Sequence, residues 1–278
     1  MRRAYKVIHI SDPHFHRLPT RAAEWMSKRG IGALNLMLRR AHQHPLARAR
    51  KMVESIRSQP WDHLVITGDL TQLALDAEFA LAREILEPLL EGGAERVTVV
   101  PGNHDRYVDD PRARAAFRRY FGGFSGEGEI STKQLTERWW LAGWDSTRAT
   151  RAFDASGRVR PETLAATERW LAGLPADARV AIANHYPVLS PPDYPSPHLH
   201  DLDNREEVLQ WLLSHPIELY LHGHVHRNWV MTLEEGMRPL TVVNSASTTR
   251  LPRPGDPSAL HRIELTEAGA EVFPLRLD

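Results

Sequence analysis

The stretch Val97-Thr98-Val99-Val100-Pro101-Gly102-Asn103-His104-Asp105 shows how this chain is organised. Its apolar and β-branched first half is typical of a strand buried on both faces, and its polar second half offers metal ligands and a proton carrier. The run Leu64-Val65-Ile66 is followed in the same way by Gly68-Asp69. Strands buried on both faces belong to sheets covered by other layers. The sequence therefore predicts an α/β sandwich flanked by helices.

Strand and helix patterns alternate over the first two-thirds of the chain. Strands are predicted at residues 5–10, 63–67, 96–100, 179–183 and 217–221. Helices are predicted between them at residues 45–58, 73–90, 112–120, 161–174 and 205–214. Four further strands, expected to complete a second sheet, are predicted at residues 229–233, 240–243, 260–265 and 270–275. No repeat or linker divides the chain. We predict one domain over residues 1–278, with residues 15–44 inserted as a helical cap.

The composition narrows the possible chemistry. The 278 residues are 42% hydrophobic and 25% charged, as in globular proteins. Cysteine is absent, which excludes disulfides, thiolate zinc sites and cysteine nucleophiles. The first residues lack the apolar region of a secretory signal, and no apolar run reaches the ~20 residues that span a bilayer. The sequence predicts a cytoplasmic protein, with peripheral contact to the inner membrane left open.

Positive charge is unevenly placed along a chain whose net charge is zero. Ten lysines and arginines lie between Phe15 and Arg57, opposed only by Glu24 and Glu54. A second basic cluster follows the Gly-Asn-His-Asp motif and consists of Arg106, Arg112, Arg114, Arg118 and Arg119. Such surfaces attract anionic substrates or an anionic membrane. The alternative is a solvated face whose charges are balanced by acids from elsewhere in the chain.

Five short polar segments share a position, because each follows a predicted strand. They are Asp12-Pro13-His14, Gly68-Asp69, Gly102-Asn103-His104-Asp105, Asn184-His185 and Gly223-His224-Val225-His226. Ligands of open α/β sheets gather at the carboxyl ends of strands, so we expect these side chains at one rim. They provide enough oxygen and imidazole ligands for two ions that share a carboxylate. Paired ions about 3.5–4 Å apart suit phosphate-ester hydrolysis.

In this order the five segments resemble the calcineurin-like metallophosphoesterases, and the resemblance runs from Asp12 to His226. It implies a two-sheet, four-layer αββα fold and a dinuclear metal centre. One ion would be held by Asp12, His14 and His226. The other would be held by Asn103, His185 and His224, with Asp69 bridging the two. The resemblance also implies that His104 acts as general acid or stabilises the transition state, with Asp105 orienting it. Ligands of this kind suit manganese, iron or zinc without distinguishing among them.

Two further sequence features bear on the class of substrate. Gly68-Asp69 continues as Leu70-Thr71-Gln72, which differs from the VDRG continuation of the Ser/Thr protein phosphatases. The basic segment 27–36, apolar on one face, resembles the insertion of chlamydial-type UDP-2,3-diacylglucosamine hydrolases. That resemblance implies a lipid-linked nucleotide cleaved at its pyrophosphate, whereas the alternative is a helix that covers a sheet edge. A cyclic-nucleotide or other small-molecule phosphodiesterase, a DNA nuclease and a non-catalytic scaffold are the rival functions. The complete ligand set opposes the scaffold, and no nucleic-acid partner is favoured.

Six further histidines and three of the tryptophans are expected outside the set of metal ligands. His9, His63 and His222 are expected to be structural. His16, His198 and His200 are expected outside the centre, the last two in the proline-rich loop at residues 187–203. Trp139, Trp140 and Trp144 are expected to pack in the core, because large aromatic side chains bury much apolar area.

Overall fold

Two β-sheets lie face to face in this computed structural model, which describes residues 3–25, 29–30, 32, 43–148, 150, 154–194, 200–252 and 258–277. The strands are β1 (Tyr5–Ile10), β2 (His63–Ile66), β3 (Val97–Val99), β4 (Ile130–Gln134), β5 (Trp139–Trp144), β6 (Arg179–Ala183), β7 (Ile217–His222), β8 (Trp229–Leu233), β9 (Leu240–Asn244), β10 (Ala259–Leu265) and β11 (Ala270–Arg276). The first sheet has the order β11-β10-β1-β2-β3 and the second the order β4-β5-β6-β7-β9-β8.

Helices cover the outer faces of both sheets. They are α1 (Ala22–Trp25), α2 (Leu46–Arg57), α3 (Asp76–Leu90), α4 (Gly93–Arg96), α5 (Pro111–Ser125), α6 (Pro161–Leu171) and α7 (Arg205–Leu213). Helices α2, α3 and α5 pack on the first sheet, while α6 and α7 pack on the second. In α2 the buried residues Ala49, Met52, Val53 and Ile56 recur at helical spacing, which gives the helix one apolar face. The predicted four-layer αββα architecture is confirmed.

The apolar runs of the strands follow from this layering. In β1, Val7 packs between the two sheets, whereas Ile8 and Ile10 pack against the helices. Successive side chains of a strand point to opposite faces, so a strand covered on both faces is apolar throughout. Strands β1, β2 and β3 are mutually parallel, as are β5, β6, β7 and β9. Parallel strands place their carboxyl ends at one edge of each sheet, and all five predicted motifs lie there.

Two features of the sheets differ from the sequence prediction. The four carboxy-terminal strands do not all complete the second sheet, because β8 and β9 join it while β10 and β11 extend the first. The pairing of β10 with β1 joins residues far apart in the chain, and alternation within a strand carries no information about its partner. Strands β4 and β5 are additional. The run Trp139–Trp144 forms β5 and buries Trp139 and Trp144 fully, as expected of core aromatics, with Trp140 half-buried.

The insertion at residues 15–44 is described in part. Phe15 belongs to the core of the first sheet rather than to a cap, because its backbone bridges to Thr71 and its ring is buried. The helical turn α1 follows, and the apolar face predicted around Leu34 and Leu38 lies outside the described residues. Within the part of the chain that the structure describes, every helix is too short or too polar to cross a membrane.

His63 and His261 are buried histidines between strands, and each contacts a hydroxyl. Nε2 of His63 lies 2.9 Å from Oγ1 of Thr98, and Nδ1 of His261 lies 2.7 Å from Oγ of Ser245. Burial lowers the pKa of each ring to about 4. Both rings are therefore neutral in the folded protein at neutral pH, as expected of structural histidines.

These lowered pKa values predict acid destabilisation. Because the unfolded chain binds protons more readily, the stabilisation is complete above about pH 6.5 and is lost as the pH falls toward 4. Each histidine should contribute a slope of about 1 kcal/mol per pH unit in that window. Between pH 7.5 and 4.5, the free energy of unfolding measured in urea should fall less in His63→Gln and in His261→Gln than in the wild type. If the free energy of unfolding fell equally with pH in the variants and in the wild type, the acid destabilisation would not come from these histidines.

Candidate metal centre

The carboxyl ends of five strands from both sheets meet at one edge of the sandwich. Asp12 and His14 follow β1, Asp69 follows β2, and Asn103 and His104 follow β3. The second sheet contributes His185 after β6, and His224 and His226 after β7. The structure brings all of these side chains together, as the distances below show.

The first group of ligand atoms joins Asp12, His14, Asp69 and His226, whose donor atoms all lie within 4.8 Å of one another. Nε2 of His14 lies 2.8 Å from Nε2 of His226 and 3.7 Å from Oδ2 of Asp69. Oδ1 of Asp12 lies 3.3 Å from Nε2 of His226. Asp12, His14 and Asp69 are buried, and His226 is half-buried. Four nitrogen and oxygen atoms thus converge on a single point.

The second group joins Asp69, His185 and His224, all buried. Nε2 of His185 lies 3.4 Å from Oδ1 of Asp69, 3.2 Å from Nδ1 of His224 and 3.0 Å from Oδ1 of Asn103. Asp69 directs Oδ2 toward the first group and Oδ1 toward the second. Its carboxylate therefore lies between the two groups, in the position that a bridging ligand requires.

The hydrogen bonds behind the imidazoles leave the ligand atoms deprotonated. Nδ1–H of His185 donates to the carbonyl of Thr67 at 2.7 Å, and Nδ1–H of His14 donates to the carbonyl of Thr71 at 3.3 Å. A neutral imidazole has one N–H, so Nε2 of each ring presents a lone pair to the centre. Burial lowers the pKa of His185 and keeps this ring neutral. Lone pairs and carboxylates packed this closely fit divalent cations of the manganese, iron and zinc kind.

Electrostatics also hold Asp12 as a carboxylate. Burial alone would raise its pKa, but the hydrogen bond with His226, the nearby His185 ring and the hydrogen bond from Ser11 hold that pKa well below its usual value. A buried carboxylate beside several imidazoles retains its negative charge at all physiological pH values. It is therefore ready to bind a cation.

The backbone of the centre adopts an unusual conformation. Among the described residues, six that are not glycine have a positive φ, and five of them are the predicted ligands Asp12, His14, Asp69, His224 and His226. The left-handed region is sterically disfavoured for such residues, although aspartate and histidine adopt it more readily than most. Strain of this kind concentrates at functional sites. Here it curls each loop tightly after its strand.

Two glycines allow these loops to pack together. A Cβ added at Gly102 would collide with the amide and carboxylate of Asp69, and one at Gly223 would collide with the side chains of Ser11 and Asp12. Glycine is required at both positions because backbone of one loop lies directly against ligands of another.

We expect Gly223→Ala to displace Asp12 and to lower the metal content of the purified protein. Turnover of a phosphodiester should fall by about 10²-fold or more, the cost of an ångström-scale misplacement in an active site. Metal analysis and a kinetic assay check this. Gly123→Ala in α5 is the matched control, since its Cβ would meet no atom within 4 Å. Wild-type metal content in Gly223→Ala would contradict the packing argument.

His104 and Asp105 lie beside the metal groups, with different partners from those expected. The Nδ1–H of His104 donates to the carbonyl of Gln72 at 2.7 Å, and its ring stacks on Tyr107. The carboxylate of buried Asp105 accepts hydrogen bonds from the amides of Gly102, Leu70 and Thr71 and from the Thr71 hydroxyl. Asp105 therefore holds the loops rather than the His104 imidazole. Burial raises the pKa of Asp105 to about 6, although these donors oppose the shift.

The sequence analysis missed a set of hydroxyl residues beneath the first group. Oγ of Ser247 donates to the carbonyl of Asp12 at 2.5 Å, and Oγ1 of Thr249 donates to the carbonyl of Pro13 at 2.6 Å. Nδ1 of buried His44 lies 3.0 Å from Oγ1 of Thr249, and the His44 ring packs 5.0 Å from that of His14. Serine and threonine are common on any chain, and the contacts span more than 200 residues. No local signal identified them.

The histidines that were expected to be structural or to lie outside the centre occupy several positions. His9 contacts Thr67 and is buried between the sheets, and His222 is buried beside the second group. The ring of His200 packs 5.6 Å from that of His224, so the described end of the proline-rich loop reaches the centre, while His198 lies outside the described residues. His16 is half-buried, and burial lowers its pKa.

The second basic cluster is largely balanced by acids. Arg106 pairs with Asp145 at 3.3 Å, Arg114 with Asp109 at 2.7 Å and Arg119 with Asp76 at 2.9 Å. These ion pairs favour the balanced-surface interpretation for this part of the chain.

Comparison with known proteins agrees with this geometry. The sequence profile of the calcineurin-like phosphoesterases matches residues 5–228. This chain belongs to the calcineurin-like phosphoesterases. Since the match covers all five motifs and includes strands of both sheets, the chain is a metal-dependent phosphoesterase. A comparison with proteins of curated function found no match to this phosphoesterase.

Solved structures share the fold of this phosphoesterase at low sequence identity. A dimetal phosphatase from Danio rerio has a TM-score of 0.68 and 14% identity, over 99% of this chain and 100% of that one. A purple acid phosphatase from yellow lupin has a TM-score of 0.58 and 11% identity, over 99% of this chain and 52% of that one. The sulfate thiohydrolase SoxB from Thermus thermophilus has a TM-score of 0.56 and 12% identity, over 100% and 57%.

Proposed function

We propose that this phosphoesterase hydrolyses phosphodiester or pyrophosphate bonds with two divalent ions of manganese, iron or zinc. Asp12, His14 and His226 would hold one ion. Asn103, His185 and His224 would hold the other, and Asp69 would bind both. The observation that carries this proposal is the position of Asp69, whose two oxygens face separate groups of ligand atoms. Two such ions clamp a phosphate and lower the pKa of water toward neutrality.

His104 supplies the proton for the leaving group. Its Nδ1–H is committed to the Gln72 carbonyl, which leaves Nε2 to carry the transferable proton. As water adds to phosphorus and the bond to the leaving oxygen breaks, that oxygen takes the proton from Nε2, and the proton released by the added water restores the protonated His104. The amide of His104 donates to Oδ1 of Asp69 at 2.8 Å, which ties the acid to the carboxylate shared by both groups.

Within this class we propose a lipid-linked nucleotide such as UDP-2,3-diacylglucosamine as the substrate, with peripheral contact to a membrane. The basic, one-sided insertion is the sequence feature that supports it. In the described part of the insertion, Leu18 and Trp25 are exposed by 47% and 42%, which leaves apolar area on the surface of the insertion. An acyl chain or a bilayer surface is a natural cover for such side chains.

A manganese-supplemented assay that compares UDP-2,3-diacylglucosamine, cyclic AMP and bis-p-nitrophenyl phosphate tests both the reaction class and the proposed substrate. Preference for the lipid nucleotide by about 10²-fold in kcat/KM or more, the scale of one or two binding contacts, would support the substrate. Turnover of cyclic AMP or the aryl diester alone would refute the lipid substrate and retain the reaction class. Asp69→Asn measures the background, and activity equal to that of the wild type in this variant would refute the dinuclear mechanism.

A further inference from the structure

The turn Gln72–Leu75 connects the Asp69 loop to helix α3, and its peptide groups face in several directions. The Gln72 carbonyl accepts the Nδ1–H of His104 at 2.7 Å. Ala74, which is buried, has a φ of 53°. An alanine in the left-handed region is strained, so other contacts must fix this conformation.

Glu78 fixes the amides of the turn. Its Oε2 accepts the amide of Leu73 at 2.9 Å and that of Leu75 at 3.1 Å, while Oε1 accepts the amide of Arg17 at 3.2 Å. The side chain is buried at the start of α3. One face of the turn is therefore fully occupied by a side chain from the helix that follows it.

Arg29 fixes the carbonyls of the same turn. Its Nε donates to the carbonyl of Leu73 and its Nη2 to that of Ala74, both at 2.9 Å. Its Nη1 pairs with Asp110 at 3.2 Å. The side chain is only 8% exposed. The planar fork of arginine reaches two neighbouring carbonyls at once, which the single ammonium of lysine does not do with the same geometry.

The insertion touches the support of His104 at a second place. The His104 ring stacks on Tyr107 with the centroids 5.4 Å apart. A Cβ added at Gly32 would lie 2.7 Å from the hydroxyl of Tyr107 and 2.6 Å from Cδ2 of Leu73. Residues 29 and 32 of the insertion thus contact both the turn that accepts the Nδ1 proton of His104 and the ring on which His104 stacks.

We propose that Arg29 is a positioning residue for His104. By holding the Leu73 and Ala74 carbonyls, it fixes the Gln72 carbonyl that orients the imidazole and keeps Nε2 as the proton carrier. The insertion is then part of the machinery of proton transfer as well as a cover. This inference rests on the proposed role of His104 as general acid.

The test uses two substrates that differ only in the leaving group, methyl p-nitrophenyl phosphate and methyl phenyl phosphate. A general acid matters most when the leaving oxygen is strongly basic, so phenyl esters depend on it and nitrophenyl esters depend on it little. Arg29→Ala should lower kcat for the phenyl ester about 10–100-fold and leave the nitrophenyl ester nearly unchanged. Arg21→Ala, an exposed arginine of the same insertion, is the matched control with wild-type values on both.

A double-mutant cycle separates positioning from general damage. In a His104→Ala background, Arg29→Ala should have no further effect on either ester, because residues that act through one another are not additive. Metal content and the circular dichroism spectrum should match the wild type. If Arg29→Ala fails to fold, Arg29→Lys supplies a milder perturbation of the same contacts, and it should show the same leaving-group selectivity with smaller amplitude.

The outcomes distinguish the inference from the proposed function. Equal losses on both esters, or a loss that persists when His104 is absent, would overturn the positioning role and leave the dinuclear hydrolase intact. If His104→Ala itself lowers both esters equally, the acid role in the proposed function fails and the inference fails with it. Selective loss on the phenyl ester that disappears without His104 would establish Arg29 as a positioning residue.

Discussion

Asp69→Ala should leave a folded protein that has lost most of its metal and nearly all of its activity. The two oxygens of Asp69 face separate ligand groups, so removing them would take one ligand from each ion and, among the described residues, the carboxylate that the two groups share. Metal content should fall from about two ions per chain to fewer than one. Turnover of bis-p-nitrophenyl phosphate should approach the uncatalysed rate.

Metal analysis of the purified variant, together with that assay, decides this prediction. Asp177→Ala is the matched control, because Asp177 is exposed and pairs only with Arg138 among the contacts described. Two ions retained in Asp69→Ala would show that the carboxylate does not bridge. An unfolded variant is identified by circular dichroism and replaced by Asp69→Asn, which removes the charge and keeps the shape.

His104→Ala has a contrasting expected result, since the metals should stay while the rate falls. The imidazole lies beside the ligands but is directed by the Gln72 carbonyl, so its loss removes a proton donor without removing a metal ligand. We expect kcat for methyl phenyl phosphate, whose leaving oxygen is strongly basic, to fall by ~10²–10⁴-fold, as is typical when an acid–base group is lost. Metal content should equal that of the wild type.

Steady-state kinetics over a range of pH check the second prediction. In the wild type, kcat should fall as the pH rises and the general acid loses its proton. This fall should be absent in His104→Ala, because the group that carries the proton is missing. His215→Ala, which alters a histidine near the surface beside Trp211, serves as control. A variant with a normal rate would exclude His104 from the mechanism.

The convergence of the five motifs could be predicted from the sequence because the relevant signals are local. An apolar β-branched run marks a buried strand, and a polar motif directly after it marks the carboxyl end of that strand. Val97–Asp105 contains both signals within nine residues. The parallel arrangement then brings the five motifs together without any long-range information.

What the sequence did not reveal depends on direction or on distant contacts. Asp105 adjoins His104 in the chain, yet its carboxylate points toward the amides of Leu70 and Thr71. Neighbours in a loop share no fixed side-chain orientation, so adjacency did not predict a partner. The hydroxyls of Ser247 and Thr249 act on a loop more than 200 residues away. Arg29 looked like one more basic residue, because its carbonyl partners are invisible in a pattern of charges.

The origin of the ligands in two separate sheets has a consequence for folding. Asp12, His14 and Asp69 come from the first sheet, whereas His185, His224 and His226 come from the second. Each ligand group draws on both, so neither sheet alone can assemble a complete set for either ion. A metal ion held here would link the two sheets. Because the ion would bind only when both sheets are docked, its binding free energy would stabilise the docked form and no partly folded form. Uptake of metal thus reports that the two halves have docked, and a chain with only one half formed remains empty.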